Sequence, residues 1–287
     1  MGLRVFERVY HQLNDDRDSS IGIAVQAYQK RALDVLQWLS DLSRQSTRVI
    51  SVRLVKGAYW DTEIKRAQEN GLRDYPVFTN KQNTDVSYLA CARFLLANSP
   101  YLYAQFATHN AHTVSYVYQH GRDRPYEFQR LHGMGEDLYD SLIATSERDV
   151  PCRVYAPVGP HEDLLPYLVR RLLENGANTS FVNRIVQSQV SPDALSADPV
   201  ALVERGSRSR RNPRVSLPRN LYQPSRLNSC GTNVSDRDEV QPLLDAIEQI
   251  AQQGWRVAPF VDGLALPGQP RVVKNPANHL QNLGEVL

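Results

Sequence analysis

"RVISVRLVKGAYWDTEIKRAQENG", residues 48–71, decides the fold. Its first half is rich in Val and Ile and alternates apolar with polar residues, the pattern of a half-buried strand. Its second half, "DTEIKRAQENG", reads as a helix. Between the two, the mouth of the strand collects Arg53, Lys56, Gly57, Tyr59 and Trp60: two cations, a glycine and two large aromatics.

The same unit recurs on both sides. Strand-like runs occupy 21–28 ("IGIAVQAY"), 103–110 ("YAQFATHN"), 126–133 ("YEFQRLHG") and 152–159 ("CRVYAPVG"). Helical patterns separate them: "RALDVLQWLSDLSRQ", "TDVSYLACARFLLAN", "AHTVSYVYQHG" and "GEDLYDSLIATS". After the last strand, "HEDLLPYLVRRLLENG" places Leu164, Leu165, Leu168, Val169, Leu172 and Leu173 at helical spacing, with Gly176 as a stop. Strict alternation of strand and helix means a parallel sheet. A doubly wound sheet and a (β/α)8 barrel both satisfy it. Gln26, Arg53, Lys56, His109, Asn110, Gln129, His132 and Tyr155 all fall at or near the C-terminal ends of strands, the rim where barrel enzymes place their chemistry. No GxGxxG follows a strand, which weakens the Rossmann reading. The expectation is an α/β fold, a partial (β/α)8 barrel of five βα units covering roughly residues 20–186. A complete barrel uses eight strands and about 250 residues, so the barrel's first strands are expected to be missing and the chain alone to be a poor enzyme.

Beyond residue 187 the text changes. "SQVSPDALSADPVALVERGSRSRRNPRVSLPRN" carries Pro, Ser and Arg without a long apolar stripe and reads as a linker. Its Arg205, Arg208, Arg210, Arg211 and Arg214 have no interleaved aromatics, so they read as solvated charge rather than a nucleic-acid arm. "RDEVQPLLDAIEQIAQQG" is an amphipathic helix, and "PRVVKNPANHLQNLGEVL" opens a strand-rich unit.

Bulk composition narrows the function classes. Thirty-three basic residues nearly balance 31 acidic ones, which gives no case for nucleic acid or an anionic surface as partner. Cys91, Cys152 and Cys230 are far apart and fit buried thiols in a reducing cytosol. No apolar run approaches the roughly 20 residues of a membrane span, and the charged N-terminus is not a secretory signal. The H-x-x-H of His109 and His112 lacks an evident third ligand, so no metal site is expected.

Two features carry chemistry. Arg170 and Arg171 are adjacent on an otherwise leucine-rich helix, with Tyr167 a turn before and Glu174 a turn after. Such a pair either bridges to Glu174 on the surface or clamps a small carboxylate. Lys56 at its strand end fits a Schiff-base lysine; Arg53 and Lys56 equally fit cations facing a cofactor, with Tyr59 and Trp60 walling a flat ligand.

In order along the chain, "VRLVKGAYWDTEIKRAQ", "YPVFTNK", "TDVSYLACA", "FATHNAHT", "YEFQRLHGMGE", "RVYAPVG" and "YLVRRLLENGANTSFVNRI" closely resemble the bacterial bifunctional proline utilisation flavoenzymes, a proline dehydrogenase barrel fused to a glutamate-semialdehyde dehydrogenase. The resemblance is dense over residues 21–187 and looser from "LPRNLYQPSRLNSCG" onward. It implies FAD in the barrel and hydride transfer from L-proline to give pyrroline-5-carboxylate. Carried over, Arg53 lies against the flavin ring and Gln26 at its edge. Lys56, Gly57, Ala58 and Trp60 line the cofactor. Thr79, Lys81 and His109 hold its phosphate and ribityl portions, with Thr108 and Gln129 nearby, and Glu174, Ser180 and Phe181 reach the adenosine. Tyr59, Tyr155 and Tyr167 form the proline pocket, and Arg170 with Arg171 clamps its carboxylate. Arg53 and Tyr59 are then the residues nearest the reaction. The implied layout is barrel at 1–187, linker at 188–218 and the start of an aldehyde dehydrogenase domain at 219–287, without that half's cysteine or its NAD site. The resemblance also implies a quinone as electron acceptor and a cytoplasmic protein that attaches peripherally to the inner face of the cell membrane. The readings from another class are a truncated, non-catalytic fragment and a Schiff-base lyase using Lys56.

Overall fold

The computed structural model describes residues 2–13, 21–46, 48–176, 197–206 and 211–287, with the side chains of 172–176 left out of the description. A helix, α1 (Gly2–Gln12), opens the chain. Strands β1 (Gly22–Gln26), β2 (Ile50–Val55), β3 (Leu102–Ala107), β4 (Tyr126–Leu131) and β5 (Cys152–Tyr155) follow. Between and after them run α2 (Ala32–Arg44), α3 (Trp60–Glu69), α4 (Lys81–Ala97), α5 (Ala111–His120), α6 (Glu136–Thr145) and α7 (His161–Gly176).

All five strands are parallel, and their order in the sheet is their order in the chain. Right-handed crossovers between sequential parallel strands put every connecting helix on the same face. A doubly wound sheet would reverse its strand order at a switch point, and none occurs here. The alternation in β2 expresses this one-sidedness. Ile50, Val52 and Leu54 are wholly buried beneath the helices, with Leu36 and Leu39 of α2, Leu95 of α4 and Leu102 and Phe106 of β3. Ser51, Arg53 and Val55 point to the other face and are only partly buried. Register carries that second face across the sheet, from Ala24 to Arg53 to Gln105 to Glu127, with Gln129 beside Arg153 two register positions nearer the rim.

The sheet is an arc. The Arg53 guanidinium lies 4.3 Å from the centre of the Tyr155 ring. Arg53 is on β2 and Tyr155 ends β5, with two strands between them. Three strand spacings on a flat sheet amount to about 14 Å. Side chains that stand roughly perpendicular to their sheet meet across that span when the polar face is concave, as in a barrel wall.

Local chemistry sets the helix starts. Asn80 caps α4 by accepting from the Gln82 N–H at 3.2 Å, and Asn110 caps α5 by accepting from the Thr113 N–H at 3.0 Å. Pro166 lies inside α7, which nevertheless continues to Gly176.

Two features depart from the sequence reading. Residues 2–12, read only as a charged terminus, form α1, with Phe6 and Tyr10 one turn apart and buried in the core. The segment read as an extended linker contains α8 (Pro199–Arg205), capped by Asp198 and packed on α4. Its basic run is not wholly solvated either: Arg211 pairs with Asp74 at 2.7 Å. Arg208 and Arg210 lie outside the described residues.

The chain divides into two compact units, Met1–Glu69 with Arg73–Asn228, and Asn70–Leu72 with Ser229–Leu287. The second unit contains the amphipathic helix α9 (Arg237–Gln252), capped by Asp236. It also holds β6 (Trp255–Val257), β7 (Phe260–Val261), β8 (Leu264–Ala265), β9 (Arg271–Asn275) and β10 (Asn278–Val286). Strand β10 pairs parallel with β6 and antiparallel with β9, and β7 pairs with β8.

The rim is stitched by backbone bonds from three connections. Ala27 N–H and Tyr28 N–H donate to the carbonyls of Val55 and Lys56, each at 2.8 Å, and Phe78 N–H donates to the Tyr28 carbonyl at 2.8 Å. Gly57 has φ +141°, and a Cβ there would stand 2.4 Å from the Tyr28 ring. Gly133 also has positive φ, +77°, but a Cβ there meets nothing within 4 Å. Gly57→Ala is thus expected to cost backbone strain plus a steric clash, about 3 kcal/mol or more, while Gly133→Ala costs only the strain, about 1 kcal/mol. Urea midpoints compare them. Equal losses would mean that Tyr28 does not need the space.

Candidate functional site

The C-terminal ends of β2 and β5 and the helix α7 converge on one cluster of aromatics and guanidiniums. Arg53 stacks on Tyr155. From α7, the Arg170 guanidinium lies 4.5 Å from the Tyr59 ring centre and 5.8 Å from that of Tyr167, and the Arg171 guanidinium lies 5.4 Å from Tyr167. Three tyrosines and three arginines thus share one patch, although their positions span residues 53 to 171. Cation–π contact tolerates this density of positive charge, because each guanidinium sits on the negative face of a ring. Burial, then the neighbouring Tyr155, raises the Tyr167 hydroxyl above its ordinary range, so it stays a neutral donor.

The patch has unspent hydrogen-bonding capacity. The Nε atoms of Arg53 and Arg170 are buried and have no partner among the described residues. A buried donor without an acceptor is costly, and an anionic or acceptor-bearing ligand relieves that cost. Glu174 lies on α7 with its side chain outside the description, and Ser180 and Phe181 are outside the described residues altogether.

A second group lies around β2 and α4. Lys56 Nζ donates to Asp85 Oδ1, and Lys81 Nζ donates to Asp85 Oδ2 at 3.0 Å. The two lysines hold the Asp85 carboxyl below its usual range against the opposing effect of burial. Two cations on one carboxylate leave net positive charge at the strand mouth. The Trp60 indole donates to the Phe78 carbonyl at 2.9 Å, which fixes its ring over the same connection. Gln26 Oε1 accepts from the Ala58 N–H at 3.4 Å. Thr79 Oγ1 accepts from the Asn212 N–H at 3.0 Å, so the segment after α8 braces this loop.

His109 and Gln129 stand at the ends of β3 and β4. His109 Nε2 accepts from the Leu131 N–H at 3.3 Å, which makes it the unprotonated nitrogen. Burial, then the charges of Arg130 and Arg171, push its pKa down to about 4. Thr108 is buried, and its carbonyl accepts from the Tyr139 hydroxyl at 2.8 Å. The structure therefore brings Arg53, Tyr59, Tyr155, Tyr167, Arg170 and Arg171 together as one patch. Lys56, Gly57, Ala58, Trp60, Thr79 and Lys81 line the adjoining connections, and Thr108, His109 and Gln129 line the neighbouring strand ends.

Sequence reasoning missed four members. Asp85 is one turn from Lys81, an (i, i+4) signal that was available. Glu127 and Arg153 form a pair at 2.8 Å on the concave face, and only the β4–β5 register brings them together. Tyr28, under Gly57, has a buried hydroxyl, and burial, then the charge of Glu63, push its pKa up to about 12.

Residues 1–184 match the family model for proline dehydrogenase. The chain is 49% identical over 280 residues to the bifunctional protein PutA of Escherichia coli, covering 93% of this chain and 21% of the relative. It is 48% identical over 277 residues to the PutA of Rhizobium meliloti, with 93% and 22% covered. A crystal structure of a proline utilization A variant from Bradyrhizobium japonicum superposes with a TM-score of 0.81 at 48% identity, over 86% of this chain and 25% of that one. The structure of the Bdellovibrio bacteriovorus protein inactivated by N-propargylglycine gives 0.81 at 28% identity, over 99% and 29%. The chain spans about a fifth of the length of those curated relatives. On the family match and on this identity, the chain belongs to the proline dehydrogenase family.

Proposed function

We propose that this chain carries the FAD and substrate walls of a proline dehydrogenase, which oxidises L-proline to pyrroline-5-carboxylate within a bifunctional protein. The observation that carries the reading is the pair Arg170 and Arg171, stacked on Tyr59 and Tyr167 beside Arg53. The residues fit a flavin. The concave face offers a buried guanidinium with an unused Nε, and the adjoining connections offer an aromatic ring and a lysine pair suited to phosphate. Bound FAD supplies the two-electron acceptor that amino-acid side chains lack.

The chain's own residues account for the rest. Arg170 and Arg171 bind the proline carboxylate through planar N–H groups, which orients the ring. Tyr59, Tyr155 and Tyr167 enclose its methylenes and exclude water. Arg53 fixes positive charge on the concave face, where it would offset the negative charge that a bound acceptor would gain with the hydride. Gln26, Lys56, Gly57, Ala58, Trp60, Thr79, Lys81, Thr108, His109 and Gln129 would hold the cofactor, and Glu174, Ser180 and Phe181 are assigned to its adenosine by the family resemblance alone. The lyase reading is weaker, because the Lys56 amine is already engaged by Asp85. The second unit, with α9 and β6 to β10, is proposed as part of an aldehyde dehydrogenase domain. A quinone acceptor and a cytoplasmic protein peripheral to the inner face of the membrane belong to the same reading. Among the described residues no helix is long and apolar enough to cross a membrane.

In the full-length protein, Arg171→Lys is expected to raise KM for proline about tenfold, since an ammonium cannot reproduce the planar fork, with flavin content unchanged. Loss of flavin instead would assign the helix to the cofactor. Arg53→Met is expected to lower kcat about a hundredfold, while Arg205→Met, on the exposed end of α8, leaves it unchanged. Equal effects would reject the assignment. Proline-dependent bleaching of the bound flavin tests the reading as a whole; a protein that never acquires flavin contradicts it.

His109 yields a pH expectation. Its folded pKa of about 4 lies below the ordinary value of 6.5, so the unfolded chain binds the extra proton between the two. Its contribution to stability is present above 6.5 and is lost as pH falls toward 4. The drop in melting temperature across that window should shrink in His109→Gln. An unchanged drop would place the sensitivity elsewhere.

A further inference from the structure

Glu127 is a carboxylate on a strand, on the concave face, with its side chain only 4% exposed. All its accepting capacity is used. Oε1 accepts from Arg153 Nε at 2.9 Å and from Gln129 Nε2 at 2.8 Å. Oε2 accepts from Arg153 Nη2 at 2.8 Å and from the Tyr103 hydroxyl at 3.4 Å. Burial opposes ionisation, but the hydrogen bonds from Arg153 and then Gln129 outweigh it and hold the carboxyl below its usual range. A group so saturated has no lone pair left for a substrate, so it acts through its neighbours.

The neighbour that matters is Gln129. An ionised carboxylate accepts and cannot donate, so the amide must turn its NH2 toward Glu127. That orientation follows from chemistry and not from the assignment of oxygen and nitrogen in the amide. The carbonyl is then left on the other branch, directed away from the clamp. Gln129 is 93% buried, so it cannot turn over freely into water. It sits two register positions nearer the rim than the level of Arg53.

We propose that Glu127, gripped by Arg153 and Tyr103, is a positioning residue that fixes the Gln129 amide carbonyl-outward, so that this position accepts the imide N–H of the bound flavin ring. The inference rests on the flavin reading above and adds to it a polarity and the residue that sets it. An isolated glutamine could offer either end to a ligand. One tethered to a carboxylate selects a donor and rejects an acceptor, because the wrong pairing leaves two oxygens facing each other.

The test compares FAD with 3-methyl-FAD, in which the imide nitrogen carries a methyl in place of hydrogen. Dissociation constants are measured by flavin fluorescence on the full-length apoprotein. The wild type is expected to bind FAD about tenfold more tightly, within the range of one buried hydrogen bond. In Glu127→Gln the residue at 127 can donate as well as accept, so the Gln129 amide is no longer held one way round. The ratio is then expected to fall to about twofold. A merely structural role for Glu127 would weaken both ligands together and leave the ratio at its wild-type value. Should Glu127→Gln be unstable because Arg153 has lost its carboxylate, the Glu127→Gln/Arg153→Met pair removes that charge and gives the same readout. A wild-type ratio near one, or a ratio that either variant leaves unchanged, overturns the proposal while FAD binding itself still stands. A wild type that binds neither flavin removes the flavin reading, and this inference with it.

Discussion

One constraint organises the first unit: the central strands β2, β3 and β4 bury one row of side chains under helices and turn the other row to the concave face. The helical side is a conventional core, with Ile50, Val52, Leu54, Leu102, Phe106 and Phe128 fully buried. Burying these side chains contributes roughly 1.5–3 kcal/mol each, which holds the sheet without help from the polar row. That row is then free to carry Gln26, Arg53, Gln105, Glu127, Gln129 and Arg153, residues that would be costly in a two-sided core. Curvature converts the row into a site, because a concave face brings Arg53 of β2 onto Tyr155 of β5.

The polar side is organised by charge pairing at three levels. Most enclosed is the Glu127 carboxylate, held by the largely exposed Arg153, and it sets the orientation of Gln129. Around the mouth of β2, Asp85 holds Lys56 and Lys81 against mutual repulsion. At the strand ends, Arg53 and Arg170 lie over tyrosine faces. That choice has a chemical consequence. An arginine paired to a carboxylate is neutralised, whereas one stacked on a ring keeps its charge and its in-plane donors for a ligand.

The strands and their connecting helices were legible because their patterns are local: period two in "RVISVRLV", and helical spacing in the leucines of α7. Arg53, Tyr155 and the Arg170–Arg171 pair were legible from strand-end position and from adjacency, helped by the resemblance. What escaped depends on register or on packing. Nothing within "YEFQRL" or "CRVY" says that Glu127 will face Arg153, since that follows from how β4 and β5 align. Asp85 lies 29 residues from Lys56, so the lysine's engagement could not be read from its own segment. Helix α1 was hidden because its two buried aromatics sit among charges, and α8 because seven residues inside a proline- and arginine-rich run are too few for a periodic signal. The Asp198–Pro199 start was nevertheless visible as a cap followed by proline at the first helical position.

The central claim is that the concave face and the α7 arginines form one site for a flavin and an amino-acid carboxylate. The most direct measurement is a crystal structure of the full-length protein with FAD and cyclopentanecarboxylate, a ring of proline's shape that has no nitrogen to oxidise. The account expects the flavin ring against Arg53 and the carboxylate between Arg170 and Arg171, with the cyclopentane ring among Tyr59, Tyr155 and Tyr167. A carboxylate seated away from the arginine pair, or a flavin bound off the concave face, would contradict it.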